Sequence, residues 1–330
     1  MKILVTGGAG FIGSHFCEFL LSQGQQVIAI DNLITGQLSN LDSFINHPDF
    51  EFIQADVKDA SVLEKAFSTS NFVVHLAAPV GVKFIMNHPV HTILDAVHST
   101  ESVLNLAVKY NIPVLLASTS EVYGKNLDLL DPTGKRTLSE MDYRVEGYSR
   151  NHRWAYANVK SLNEFLAFAY MREQGLKLLI TRFFNTAGAR QRSEYGMVIP
   201  NFVQAALKGE PLKIYGDGKQ RRSFIHIQDT ISAMWLLMQS PNAFGEVYNI
   251  GNPEEITILQ LAEKIIHLTH SPSQLEFMSY ESAYGEGFEE MDRRTACIDK
   301  LTAAVPFQLT GNLDSILAEV IAFEKTRLDL

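Results

Sequence analysis

The first thirteen residues constrain the fold of this chain more than any other stretch. A short, mostly apolar run at 2–6 predicts a buried strand, and Gly7, Gly10 and Gly13 follow it at intervals of three. The apolar spacing over 14–23 then predicts a helix. A strand, a glycine turn and a helix in this order predict a pyrophosphate site. The helix N-terminus presents free N–H groups there, and glycine lets the backbone approach the phosphates closely.

An acidic residue at the end of the next predicted strand refines the ligand. The run 26–30 is typical of a strand and leads into Asp31, at the distance of about 20 residues where a carboxylate binds a ribose 2′-hydroxyl. The same charge would repel a 2′-phosphate, so we expect NAD rather than NADP. The expected cofactor residues near the carboxyl ends of the strands are Gly7, Gly10, Phe11, Ile12, Gly13, Asp31, Asn32, Asp56, Val57, Leu76, Ala77 and Ala78.

Strand and helix patterns alternate through the first half of the chain, which predicts an α/β fold with a doubly wound parallel (Rossmann) sheet. After residue 185 turn-forming residues become frequent, and this predicts a smaller, interleaved C-terminal lobe that binds substrate. We therefore expect an NAD-binding domain over 1–185, to which 225–250 returns, and a substrate-binding lobe over 186–330. Further strands are predicted at 51–57, 71–78, 114–119, 176–184 and 246–250, and helices at 60–67, 89–110, 229–240 and 257–269.

Composition excludes several classes of protein. A formal charge of −9 without a basic stripe argues against a nucleic-acid-binding surface. Cys17 and Cys297 are too few for a disulfide framework, as expected for a cytoplasmic protein. No apolar run approaches the roughly 18 residues of a membrane span. The histidines lack ligand spacing, so we predict no metal site.

Tyr156 and Lys160 are four residues apart on a predicted helix and therefore share a face. A tyrosine base that works near neutrality needs its pKa lowered by about three units, which corresponds to about 4 kcal/mol. One positive charge at about 4 Å in an effective dielectric of about 20 supplies that amount. The spacing thus predicts Tyr156 as a general base with Lys160 as its partner, and both as cofactor contacts. A surface Tyr–Lys pair is the alternative, which the preceding dinucleotide fold disfavours.

Three motifs resemble those of the extended short-chain dehydrogenase/reductases and, within them, the NAD-dependent nucleotide-sugar epimerases, dehydratases and decarboxylases. They are the glycine turn at 6–13, the run 118–124 and the Tyr156-x-x-x-Lys160 pair, and the resemblance extends to about residue 300. It implies that Tyr156 removes the proton of a sugar 4-hydroxyl while hydride passes to NAD. It also implies that Lys160 holds the nicotinamide ribose and that Thr119 hydrogen-bonds the same sugar oxygen.

The second half of the chain carries further resemblance to these enzymes. Asn185 matches an asparagine that contacts the nucleotide diphosphate, and Arg222 matches an arginine that binds it. Arg293 and Arg294 resemble a late arginine that reaches substrate. A guanidinium fork suits phosphate and carboxylate oxygens because it binds them two at a time. A solvated surface charge is the alternative for each arginine.

The run Thr119-Ser120-Glu121 bears on the chemistry that comes after oxidation at C4. In the sugar 4,6-dehydratases an aspartic acid stands in the place of Ser120 and protonates the departing hydroxyl, which serine cannot do. The UDP-glucuronate decarboxylases, by contrast, carry Thr-Ser-Glu here. A 4-keto sugar with a carboxylate on C5 is a β-keto acid and loses CO2 readily. We therefore predict UDP-glucuronate decarboxylation, with Ser120 and Glu121 as catalytic residues at C5.

Departures from the decarboxylase pattern leave a UDP-sugar 4-epimerase, including one that acts on UDP-glucuronate, as a rival. They lie at Pro79–Val82, after Arg294, and at Arg153–Ala155 just before the catalytic tyrosine. A dehydrogenase with a dissociable cofactor would need neither Asn185 nor the segment around Arg222. A non-catalytic dinucleotide-binding regulator would not need Thr119, Tyr156 and Lys160 together.

Apolar residues spread widely around the predicted catalytic helix. Phe165, Leu166, Phe168, Ala169 and Met171 cover more of its circumference than one stripe requires. This distribution predicts burial against a second subunit, and hence a homodimer. Packing within one chain is the alternative.

Overall fold

The computed structural model describes residues 1–78, 88–131, 133–284 and 289–329. Its centre is a seven-stranded sheet in the order β10-β6-β5-β4-β1-β2-β3, in which every pairing is parallel. The predicted doubly wound α/β fold is therefore confirmed. These strands are β1 (Lys2–Thr6), β2 (Gln26–Asp31), β3 (Phe50–Gln54), β4 (Phe72–His75), β5 (Val114–Thr119), β6 (Leu178–Phe183) and β10 (Val247–Ile250).

Helices cover both faces of the sheet because successive strand residues point to opposite sides. Along β1, Ile3 and Val5 enter one buried cluster, whereas Leu4 enters the other. The first cluster packs under α1 and α7, and the second under α2, α3 and α5. These helices are α1 (Phe11–Ser22), α2 (Ala60–Phe67), α3 (Pro89–Tyr110), α5 (Ala155–Gln174) and α7 (Ile227–Gln239); the short α4 (Asn126–Leu130) lies between β5 and α5 in the chain.

A third buried cluster holds the part of the chain beyond the sheet together. It includes the helix α6 (Val198–Lys208), which the sequence analysis did not predict because turn-forming residues are frequent in this part of the chain. Ile199, Phe202, Val203 and Ala206 form its buried face at helical spacing. The remaining elements are α8 (Ile258–Thr269), α9 (Tyr280–Tyr284), α10 (Asp299–Ala304), α11 (Leu313–Arg327), β7 (Asn185–Ala187), β8 (Leu212–Tyr215), β9 (Arg221–His226), β11 (Glu255–Thr257), β12 (Leu275–Met278) and β13 (Arg293–Arg294).

Two predicted strands are shorter in the structure than their apolar runs. The runs at 51–57 and 71–78 contain strands that end at Gln54 and His75, and the chain beyond each strand forms a loop. Val247–Ile250 pairs with β6 at the edge of the sheet. The assignment of cofactor binding to 1–185 with 225–250, and of substrate binding to 186–330, stays a prediction. The departure at 79–82 lies outside the described residues.

Across the described ranges, no helix is long and apolar enough to cross a membrane.

Candidate active site

A cavity of about 900 Å³ opens at the carboxyl ends of the central strands, where an open α/β sheet binds its ligands. Every site residue predicted from the sequence lines it except Arg293. The predicted residues in its wall are Gly7, Gly10, Phe11, Ile12, Gly13, Asp31, Asn32, Asp56, Val57, Leu76, Ala77, Ala78, Thr119, Ser120, Glu121, Tyr156, Lys160, Asn185, Arg222 and Arg294.

The glycine turn leaves the N-terminus of α1 open to the cavity. Gly7 adopts a left-handed φ of 74°, and a Cβ on Gly13 would collide with the carbonyl oxygen of Gly7. Gly10 is the N-cap of α1, and no side chain caps this end of the helix. The backbone therefore offers N–H groups and a partial positive charge at the cavity wall. This arrangement fits the pyrophosphate of NAD.

Asp31 lies at the end of β2 and also supports the glycine turn. Its carboxylate accepts the N–H of Ala9 at 3.0 Å and the N–H of Leu33 at 2.8 Å. Burial raises its pKa, while these backbone donors oppose the rise. Beside it, Asn32 Nδ2 donates to Asp56 Oδ2 at 3.1 Å. A ribose contact by Asp31 stays a prediction, and the carboxylate is already fixed in place for it.

Tyr156 and Lys160 extend from the first turns of α5 into the cavity wall. Lys160 is buried, and its Nζ donates to the carbonyl oxygen of Ala117 on β5 at 3.0 Å. Burial lowers its pKa to about 8, and Glu164 opposes that effect. The pKa of Tyr156 is raised by burial and by the negative charge of Glu121, and the opposing positive charge is that of Arg294. The expected lowering of the tyrosine pKa by Lys160 is therefore not found in this structure.

Glu121 lies between two guanidinium groups. Arg153 Nη1 donates to Glu121 Oε2 at 2.5 Å, and Arg294 Nη1 donates to the other oxygen, Oε1. Arg294 also donates through Nη2 to Asn185 Oδ1 at 2.9 Å. The two arginines hold the pKa of Glu121 far below its ordinary value although burial opposes them. Glu121 is thus ionised at neutral pH and cannot donate a proton there.

Register explains which arginines reach the cavity. The short strand β13 pairs in parallel with β9, which places Arg294 beside Arg222 and Arg293 beside Arg221. Arg222 is buried in the wall and pairs with Glu290 at 2.9 Å. Arg293 is instead held by Asp131 at 2.8 Å and by Glu255. The predicted substrate contact by Arg293 thus finds no support in its position, because its guanidinium is committed to these carboxylates.

A buried polar network behind the cavity was not foreseen from the sequence. Glu164 accepts Arg182 Nε at 2.9 Å and Nη2 at 2.7 Å, and it also accepts the hydroxyl of Ser118 at 2.5 Å. Glu164 stands one helical turn after Lys160, and Ser118 directly precedes Thr119. The network therefore fixes the catalytic helix to the end of β5. The four-residue spacing places Glu164 on the same helix face as Lys160, but it does not indicate the partners Ser118 and Arg182.

Arg153 and Glu290 are two further cavity residues that the sequence analysis did not assign to the site. Arg153 stands three residues before Tyr156, in a one-turn 3-10 helix at His152–Trp154. In the sequence this position stands out only as a departure from the decarboxylase pattern. No group of three or more potential metal ligands occurs within 1–78, 88–131, 133–284 and 289–329.

Comparison with known proteins agrees with this geometry. The UDP-N-acetyl-alpha-D-glucosaminuronate decarboxylase of Bacillus cytotoxicus is 36% identical over 321 residues, covering 97% of this chain and 96% of that protein. The UDP-glucuronic acid decarboxylase 1 of Danio rerio is 34% identical, covering 99% of this chain and 73% of that protein. The solved UDP-glucuronic acid 4-epimerase of Bacillus cereus, in complex with UDP-glucuronic acid and NAD, superimposes with a TM-score of 0.88 at 27% identity, covering 99% and 100% of the two chains.

The family model of the NAD dependent epimerase/dehydratase family matches residues 3–251. This range contains the glycine turn, Thr119, and the pair Tyr156 and Lys160, all of which the fold brings to one cavity. The chain therefore belongs to the NAD dependent epimerase/dehydratase family.

Proposed function

We propose that this protein decarboxylates a UDP-linked hexuronate, with UDP-glucuronate as the first candidate, through transient oxidation at C4. The observation that carries the proposal is the buried Arg153–Glu121–Arg294 cluster beside Tyr156. Its net positive charge suits a sugar that carries a carboxylate, and Glu121 belongs to the Thr-Ser-Glu run that suggested this reaction. The decarboxylases among the relatives, which are named for two different uronates, support the same class of substrate.

Each residue has a defined task in this reaction. NAD accepts the hydride of C4 and later returns it, so none is consumed. Tyr156 takes the proton of the 4-hydroxyl and gives it back when the hydride returns, and we assign to Lys160, one helical turn further along α5, the contact with the nicotinamide ribose. Thr119 accepts the N–H of Glu121 at 3.2 Å, which orients its hydroxyl, and we assign to that hydroxyl the hydrogen bond to the same sugar oxygen.

Decarboxylation itself needs little help once C4 is a ketone. The C5–carboxylate bond breaks, CO2 leaves with no change in oxidation state of the cofactor, and the electron pair forms an enolate with the C4 carbonyl. A proton must then reach C5. Ionised Glu121 cannot supply this proton. We propose that the hydroxyl of Ser120, which is buried in the cavity wall, relays a proton from solvent to C5.

A UDP-glucuronate 4-epimerase is the second candidate, favoured by the likeness to the Bacillus cereus enzyme. It would use the same oxidation but must keep the carboxylate. An arginine fork can do this by holding the C5–carboxylate bond near the plane of the 4-keto group, where the bond cannot overlap the carbonyl π system. Arg294 alone therefore does not separate the two reactions.

Product analysis separates them. The purified protein is incubated with UDP-glucuronate, UDP-N-acetylglucosaminuronate or UDP-glucose and a trace of NAD, and the products are identified by mass and NMR. We expect a UDP-pentose and CO2 from UDP-glucuronate, with no net reduction of NAD. UDP-galacturonate with its carboxylate intact would establish the epimerase instead. Decarboxylation of UDP-N-acetylglucosaminuronate alone would support the proposed reaction but would make the N-acetylated uronate the substrate.

We further propose that the protein is a cytoplasmic homodimer. Both thiols are free, which fits the reducing cytoplasm expected from the cysteine content. On the packed helices α3 and α5, large apolar side chains remain exposed, including Leu94 at 50% and Phe165 at 60%. Exposed apolar area of this kind is typical of a subunit interface.

Light scattering after size exclusion tests the interface. The unaltered protein is expected at the mass of two chains, and Phe165→Glu at the mass of one, because a charge would have to be buried at the contact. Leu268→Glu is the matched control, since Leu268 is also exposed but lies on α8. A monomeric unaltered protein would refute the dimer, and a dimeric Phe165→Glu would refute this interface.

A further inference from the structure

Glu164 is a buried carboxylate to which the proposed reaction gives no task. It lies one helical turn beyond Lys160 on α5. Its partner Ser118 lines the cavity, whereas Glu164 and Arg182 lie behind that wall. We propose that Glu164 is a positioning residue, which keeps Lys160 charged at neutral pH and fixed against the end of β5. The part of this inference that concerns turnover rests on the proposed function.

Two successive residues of β5 hold Lys160 and Glu164 in place. Lys160 Nζ donates to the carbonyl oxygen of Ala117 at 3.0 Å, and the hydroxyl of Ser118 donates to Glu164 Oε1 at 2.5 Å. Helix α5 is therefore bonded to the carboxyl end of β5 at two positions that are one helical turn apart. Because Thr119 is the next residue of β5, the same two contacts fix it relative to the catalytic helix.

Arg182 holds the carboxylate of Glu164 in one orientation. Its Nε and Nη2 donate to the two carboxylate oxygens at 2.9 and 2.7 Å, which is the bidentate geometry of a guanidinium fork. Its Nη1 donates to the phenol oxygen of Tyr123 at 2.9 Å, and the Tyr123 hydroxyl donates to Asn249 Oδ1 at 2.7 Å. All four side chains are buried. The charge of Glu164 is therefore fixed on the helix face that carries Lys160.

A fixed negative charge is what a buried ammonium requires. Burial lowers the pKa of Lys160 to about 8, and Glu164 opposes that effect. His75 on β4 cannot take over this task, because burial and the charge of Lys160 lower its pKa to about 3 and leave it uncharged at neutral pH. Tyr156 cannot either, since burial and Glu121 raise its pKa and keep it protonated.

The other charged groups around Lys160 are committed elsewhere. Glu121, which follows β5, is held between two arginines, and Asp95 on α3 is bonded to a lysine that precedes α2. Arg182 on β6 is a cation and cannot stabilise an ammonium. Among the described charged groups on the elements that pack around Lys160, Glu164 is therefore the one that favours its protonated form.

A structural anchor without an electrostatic role is the alternative for Glu164. Replacing both members of a buried ion pair by neutral residues is often tolerated, whereas removing one member leaves the other charge unpaired. Glu164→Gln alone is therefore expected to lower the melting temperature. Glu164→Gln combined with Arg182→Met is expected to fold, as thermal unfolding would show, and this double variant carries the test.

The first measurement follows the proton of Lys160 on the ligand-free full chain. Lysines are acetylated with a trace of acetic anhydride over a series of pH values, and the peptide that contains Lys160 is quantified by mass analysis. The unaltered protein is expected to give a midpoint near pH 8, and the double variant a midpoint about one pH unit lower. Lys177, which is exposed, is the internal reference and should be labelled alike in both proteins.

The second measurement is kcat/KM for UDP-glucuronate as a function of pH. At about pH 6 the double variant is expected to lie within about threefold of the unaltered protein, and at about pH 8 about fivefold further below it, as a midpoint one unit lower requires. In a Lys160→Met background the same double substitution should change the rate less than about twofold, because the residue through which Glu164 acts is absent.

The matched control is Glu324→Gln combined with Arg327→Met. This glutamate is also buried and paired with an arginine, but it lies on α11. The control is expected to leave both the labelling midpoint of Lys160 and the pH profile unchanged.

The outcomes are separable. An unchanged labelling midpoint in the double variant would make Glu164 a structural anchor and overturn the inference. A lower midpoint with an equal loss of rate at every pH would also overturn it, because the charge would then not serve the reaction. Both results leave the proposed function standing. If the unaltered protein converts no UDP-linked uronate, the proposed function fails together with the turnover part of the inference, and the labelling alone decides whether Glu164 keeps Lys160 charged.

Discussion

Tyr156→Phe is expected to reduce turnover by about 10³-fold, within the range that a positioned proton acceptor contributes. The substitution removes the phenol oxygen and little volume from a half-buried side chain in the cavity wall. Burial and Glu121 raise the pKa of this phenol, so it is protonated at neutral pH before it reacts. The phenol must lose that proton to act as a base. The positive charge of the nicotinamide of bound NAD would favour this loss.

The matched control is Tyr170→Phe. Tyr170 lies on the same helix but away from the cavity, and its hydroxyl donates to Asn105 Oδ1 at 2.6 Å. This variant is expected to keep turnover within about twofold, since losing one exposed hydrogen bond costs on the order of 1 kcal/mol of stability and none of the chemistry. Product formation is followed by mass analysis, and NAD affinity by fluorescence titration. If Tyr156→Phe turned over substrate at a rate close to that of the control, Tyr156 would not be the general base.

Local spacing explains which parts of the site could be predicted. The glycine turn, Thr119 and the Tyr156–Lys160 pair each lie within a few residues of one strand end or one helix turn. Their neighbours in space are therefore their neighbours in sequence. The Glu121–Arg294 contact spans 173 residues and depends on β13 pairing with β9. Nothing in the sequence near either residue specifies that pairing.

The choice between Arg293 and Arg294 shows the same limit at finer scale. Adjacent residues of a strand point to opposite faces, so only one of the two can enter the cavity, and a shift of register by one residue would exchange them. The carboxylates that hold Arg293 come from two separate parts of the chain, Asp131 and Glu255. Helix α6 is missed for a different reason: Pro200 lies in its first turn, where proline is tolerated, but reads as a turn signal in the sequence.

Lys160→Met is expected to lower turnover by about 10² to 10³-fold and to weaken NAD binding, because it removes a preorganised positive charge from the reacting centre. The unaltered side chain is 5% exposed, donates to Ala117 and has a pKa lowered to about 8. The depressed pKa shows that burial of the ammonium is unfavourable. Methionine of similar length should therefore leave the melting temperature unchanged or raise it. A loss of activity with no loss of stability would separate the function of this charge from its structural effect.

The pH dependence gives the same substitution a second readout. The pKa of Lys160 is lowered from its ordinary value, so the ammonium is present below about pH 8 and is lost as the pH rises through that value. The unaltered protein should therefore show kcat/KM falling above about pH 8, and Lys160→Met should lack this limb. Lys177→Met is the control, since Lys177 is exposed just beyond the end of α5 and should leave both the rate and the profile unchanged. A high-pH limb that survives in Lys160→Met would assign the titration to another group.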